Sequence, residues 1–94
     1  MTSDTKYSTF RRMKIDEAIK ELEANPKDIR FSRLLRICVE FFGAYRTIGS
    51  HHIFKTKWQG DPRLNLQEEG RRAKEYQVRQ VVSALKRLKE VEGK

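Results

Sequence analysis

The sequence predicts an α+β domain, in which a three-stranded antiparallel sheet is covered on one face by helices and an extra helix precedes the main unit. Three observations carry that expectation. Apolar residues recur at helical spacing in three separate stretches. Between the second and third lie short runs of aromatic and β-branched residues bounded by glycine turns, and residues 63–67 alternate polar and apolar side chains.

Residues 1–12 are polar, with Ser, Thr and Asp scattered among basic residues, and are expected to form a flexible tail ahead of a single domain over 13–94. From Lys14 to Ala24, Ile15, Ala18, Ile19 and Leu22 share one helical face, and Asn25-Pro26 closes the segment. Phe31, Leu34, Leu35, Cys38, Val39 and Phe42 predict a second, more apolar helix ended by Gly43, with Asp28 or Ser32 available to cap it. Ala44–Ile48 and His51–Trp58 read as the two strands of a hairpin about Gly49-Ser50, and Gln59-Gly60-Asp61-Pro62 as a further turn. Residues 63–67 then form a third strand with one wet and one dry face, and Glu68–Arg72 a charged loop. Val78, Val81, Val82, Leu85 and Leu88 give the stripe of a last helix over Tyr76–Val91. A sheet of this width needs cover on one face only, which leaves the other to solvent or a ligand.

Ninety-four residues suit one domain with a small core. The net charge of +8 makes a polyanion the favoured partner, because each phosphate neutralised by Lys or Arg releases counterions. The excess is uneven: residues 71–94 carry eight basic against three acidic side chains, whereas residues 1–30 carry seven against six. The lone Cys38, within an apolar run, reads as a small core residue and not a nucleophile. With no apolar stretch long enough to span a membrane and no secretory h-region, a cytoplasmic protein is expected.

Both histidines stand together in Gly49-Ser50-His51-His52-Ile53-Phe54-Lys55. Histidine takes and gives protons near neutral pH, as cleavage of an RNA phosphodiester requires. Strand alternation sends His51, Ile53 and Lys55 to one side and His52, Phe54 and Trp58 to the other, so the two rings do not act easily on one phosphate. The same divergence, with no Cys or carboxylate at ligand spacing, argues against a metal site, and no cofactor is called for. Neither a paired-carboxylate site nor a Gly-rich phosphate loop supports other hydrolase chemistries. Ser50 shapes the turn and has a hydroxyl for a phosphate oxygen. Arg71, Arg72 and Lys74, expected at the start of the last helix, make a phosphate-binding cluster, with Lys57 and Arg63 on the strands as further contacts. The bland alternatives are a surface histidine at a strand start, a satisfied core histidine at 52 and a solvated basic face.

The Gly-Ser-His run on a strand that follows an apolar helix resembles the HicA family of bacterial toxin ribonucleases, over roughly residues 31–90. That resemblance implies a double-stranded-RNA-binding-like fold, metal-independent cleavage of mRNA, and neutralisation by a HicB-type antitoxin. It also implies that the histidine directly after Gly-Ser, His51, is catalytic, with His52 as the alternative. Lys55 is then placed to offset negative charge at the phosphate. The longer N-terminal segment and the turn around Trp58–Arg63 depart from the family pattern. A non-catalytic module binding double-stranded RNA or DNA is the rival expectation.

Overall fold

A computed structural model describes residues 13–56, 58 and 63–92. The expected tail at 1–12, the turn at 59–62 and Lys57 lie outside the described residues. The elements run α1 (Ile15–Ala24), α2 (Phe31–Phe42), β1 (Tyr45–Ile48), β2 (His51–Phe54), β3 (Leu64–Glu69), β4 (Arg72–Ala73) and α3 (Glu75–Glu92). All strand pairs are antiparallel and the spatial order β1-β2-β3-β4 follows the chain.

Each helix follows from its apolar spacing. In α1, Ala18, Ile19 and Leu22 are buried, and Asp16 and Glu17 sit in the first turn, where the helix dipole favours negative charge. The helix packs on α3 and is tied to it by ion pairs of Lys86 with Glu23 and Lys89 with Asp16. A fork of Arg33 onto Glu21, both contacts 2.7 Å, links it to α2, and the Arg33 guanidinium holds the Glu21 carboxyl below its ordinary value. In α2, Phe31, Leu34, Ile37, Cys38 and Phe41 turn inward, while Val39, placed in the apolar stripe by its spacing, is 43% exposed. Gly43 ends the helix at φ +86°, a backbone shape that costs a residue without Cβ little, and its N–H returns to the Val39 carbonyl at 3.0 Å. Neither Asp28 nor Ser32 caps α2. Arg30 holds the N-cap position without a side-chain bond, and Asp28 is paired with Arg72 instead.

Gly49, at φ +61°, opens the two-residue turn that joins Ile48 to His51, and the hairpin register pairs Thr47 with His52 and Tyr45 with Phe54. β2 stops at Phe54, so Trp58 is not part of the strand as expected. The larger correction concerns residues 68–73. Instead of a three-stranded sheet followed by a charged loop, β3 continues to Glu69, turns at Gly70-Arg71 with Gly70 at φ +64°, and returns as the short β4. Two residues cannot display a period, which is why the fourth strand is silent in the pattern. Besides its pairing with β3, this segment is held by the chain entering α2: the Ala73 N–H donates to the Ile29 carbonyl at 2.8 Å and the Phe31 N–H to the Arg71 carbonyl at 3.0 Å. The basic run therefore does not open the last helix. Arg72 and Ala73 are strand, the Lys74 carbonyl accepts the first helical N–H bonds from Gln77 and Val78, and α3 begins at Glu75.

Phe54, Leu64, Leu66 and Ala73 point from the sheet into a core completed by Leu22, Leu34, Ile37, Val78, Val81, Leu85 and Leu88. The opposite sheet face carries Arg46, Ile48, His51, Ile53, Asn65 and Gln67, all exposed or half-buried. Helices on one face and an open second face thus hold as expected. No described helix is long and apolar enough to cross a membrane.

Candidate functional site

The hairpin geometry assigns the two histidines to different environments. His52 shares the inner face with Phe54. Its ring meets Phe31 edge-on at 5.1 Å and Tyr45 at 5.3 Å, and its Nδ1 is buried without a hydrogen-bond partner among the described residues. That is a packing environment, on the sheet face the helices cover. His51 begins β2 on the open face, opposite Ile48 of β1 and Gln67 of β3. Its Nδ1 lies 2.9 Å from the Asn65 side-chain oxygen, one diagonal step along β3.

Beside it, a second set of hydrogen bonds secures the turn. Lys74 Nζ donates to Gln67 Oε1 at 3.2 Å, and Gln67 Nε2 donates in turn to Ser50 Oγ at 3.0 Å. With its oxygen already accepting, the Ser50 hydroxyl has its own proton to offer outward, and the lysine charge polarises the chain in that sense. The Gln67 backbone N–H donates to Gln77 Oε1 at 2.9 Å. Glu68 pairs with Ala73, so the next partner for Gln67 would be residue 74, where the chain has already turned into α3. The buried Gln77 side chain replaces the missing ladder acceptor and ties the first turn of α3 to the strand beneath Ser50.

Both two-residue turns, Gly49-Ser50 and Gly70-Arg71, and the start of α3 meet at this end of the sheet. Ser50, His51, Arg71, Arg72 and Lys74 are therefore brought to one region, though not as equals. Arg71 is exposed, Arg72 is paired with Asp28, and Lys74 is half-buried on Gln67. Glu68 and Glu69 also lie here, and both are exposed. Lys55 and Arg63 stand at the other end, just after β2 and just before β3. Lys55 follows His51 by four residues of extended chain, roughly 13 Å. Arg63 borders a separate cavity of about 580 Å³ with Thr56, Trp58, Gln80, Lys86 and Arg87. One face of Trp58 is occupied there by the Arg87 guanidinium, 5.6 Å from the ring centre. Among the described residues no cluster of His, Cys, Asp and Glu forms a metal-ligand set.

Three residues that complete the site escaped the reading of the sequence: Asn65, Gln67 and Gln77. The alternation of 63–67 does set Asn65 and Gln67 on the face away from Leu64 and Leu66. Their attachment to His51 and Ser50, however, depends on the register of β3 against β2, which no local pattern contains. No protein family, curated protein or solved structure matches the chain.

Proposed function

We propose that this chain is a toxin ribonuclease of the HicA type, which cleaves mRNA without a metal ion and is neutralised by a HicB-type antitoxin. The observation that carries the reading is His51, the histidine directly after Gly-Ser, standing on the uncovered face of the sheet at the end where the basic residues gather. In the mechanism this supports, the imidazole takes the proton from a ribose 2′-hydroxyl as its oxygen bonds to the adjacent phosphorus. The bond from phosphorus to the 5′ oxygen breaks, and that oxygen is protonated by the imidazolium or by water. Ser50 donates to a phosphate oxygen. Arg71 and the charge of Lys74 offset the negative charge of the phosphate. Lys55, some 13 Å along the chain, serves a neighbouring phosphate and not the one attacked.

A helix, an antiparallel meander of four strands and a helix over residues 31–92, with one sheet face uncovered, are compatible with a double-stranded-RNA-binding-like fold to which the short β4 and α1 are added. The positive balance of residues 71–94 suits both RNA and an acidic antitoxin competing for the same surface. The test is cleavage of mRNA by purified wild type and His51→Ala, with circular dichroism on both and growth followed after induction. A folded His51→Ala protein is expected to lose about 100- to 10,000-fold in rate. Wild type that binds RNA but never cleaves it would leave a non-catalytic binding module, and a fully active His51→Ala would remove the histidine from the chemistry.

A further inference from the structure

We propose that Asn65 is a positioning residue that sets the tautomer of His51, so that the ring meets the 2′-hydroxyl as a base; this rests on the reading of His51 as the proton carrier. A neutral imidazole has one N–H, and which nitrogen holds it depends on the bond the ring makes. The atom of Asn65 that faces His51 Nδ1, at 2.9 Å, is the amide oxygen, which only accepts. The proton therefore belongs on Nδ1, and the lone pair belongs on Nε2, the nitrogen left to take a proton. Free imidazole prefers the reverse arrangement, so Asn65 works against the intrinsic bias of the ring.

The choice of a neutral amide has a second consequence. After the 2′-hydroxyl proton has moved to Nε2, an aspartate at 65 would hold the imidazolium by charge and slow its return to the base form. The Asn65 oxygen keeps the same geometry without that charge, and the ring gives the proton up to the departing 5′ oxygen or to water. Among the described residues, the charged groups on the strands of this face are Arg46 on β1, Lys55 after β2, Glu69 on β3 and Arg72 on β4, with Lys74 acting through Gln67.

The measurement is the ¹⁵N chemical shift of the His51 ring nitrogens in the full, RNA-free chain at a pH where the ring is neutral, for wild type, Asn65→Leu and Asn65→Asp. The expected wild-type spectrum has a protonated Nδ1 and an unprotonated Nε2. Asn65→Leu should populate the Nε2–H form and lower kcat/KM about 3- to 10-fold, as expected for one neutral hydrogen bond. Asn65→Asp should keep the wild-type tautomer and move the acid limb of the pH–rate profile to higher pH, because the carboxylate favours the imidazolium and the base form then appears later. Arg46, Lys55, Glu69 and Arg72 are unchanged in that variant, so the movement belongs to residue 65. An Nε2–H ring in wild type, or a tautomer indifferent to Asn65→Leu, overturns the assignment, and the wild-type spectrum requires no variant to fold. The expected tautomer in a chain that cleaves no RNA would support the role of Asn65 toward His51 and overturn the ribonuclease reading alone.

Discussion

Replacing Gln77 by Met tests whether a buried side chain completes the sheet beneath the site. Gln77 is 4% exposed, and its Oε1 accepts the Gln67 backbone N–H at 2.9 Å, in the place a longer β4 would fill. Methionine keeps the length and nearly the volume but offers no comparable acceptor, so the N–H of the half-buried Gln67 is stranded. An unmet buried donor costs about 1–3 kcal/mol, and partial access to water at Gln67 favours the lower half of that range, about 1.5 kcal/mol. For a domain of this size that corresponds to a fall of about 6–12 °C in Tm. The assays are guanidinium and thermal unfolding, with amide hydrogen exchange at Gln67, where opening should become about tenfold easier. Cleavage should fall less than in His51→Ala, because the change loosens the strand that holds Ser50 and leaves the histidine in place. A Met variant within about 0.5 kcal/mol of wild type, the spread of an ordinary surface substitution, with an equally protected Gln67 amide, would mean that Gln77 does not complete the sheet.

Other substitutions separate neighbouring roles. His52→Phe fits between Phe31 and Tyr45 and removes the orphaned Nδ1, so it should leave RNA cleavage intact and stability unchanged or higher by about 1 kcal/mol; loss of cleavage in the folded variant would return His52 to the chemistry. Arg71→Gln should lower the slope of log binding constant against log salt by roughly 0.7–0.9, the contribution of one phosphate contact, whereas Arg72→Gln should have a smaller effect on binding because its guanidinium is engaged with Asp28. Titrations of both variants at several salt concentrations decide this, and an unchanged slope for Arg71→Gln would move the RNA surface elsewhere. Burial pushes the Cys38 thiol up to about 12, so iodoacetamide should not label the native chain at neutral pH and should label it after unfolding, as read by mass spectrometry.

What the sequence revealed of the fold depended on repetition. Three helices with stripes of four or more apolar residues are legible to within a residue or two, and so is the hairpin turn at Gly49-Ser50, since each rests on a period or on a residue with a special backbone; the far end of β2 is not, and the strand stops at Phe54 instead of Trp58. Arg72-Ala73 escaped because a two-residue strand has no period and is held by distant groups, the Ile29 carbonyl and the Phe31 N–H, some forty residues earlier in the chain. With β4 silent in the pattern, the basic cluster reads as the start of a helix, although Arg71, Arg72 and Lys74 belong to a turn, a strand and the position before α3. The opposed histidines were legible because alternation alone separates them. Asn65 and Gln67 were legible as surface residues of a strand, but their bonds to His51 and Ser50 belong to the register between strands. Gln77 looked like one more polar residue of a helix until the strand it completes was known.

Whether His51 moves a proton while the ribose 2′-hydroxyl attacks the phosphate is recorded at the ends of the RNA fragments. Purified wild type, with excess chelator present, is incubated with a defined transcript and the termini at each cut are identified by mass spectrometry. The expected result is a 2′,3′-cyclic phosphate or its 3′-phosphate product upstream, with a 5′-hydroxyl on the downstream fragment, and neither from His51→Ala. Cleavage that stops in chelator and returns with Mg²⁺, or downstream fragments that begin with a 5′-phosphate, would contradict it.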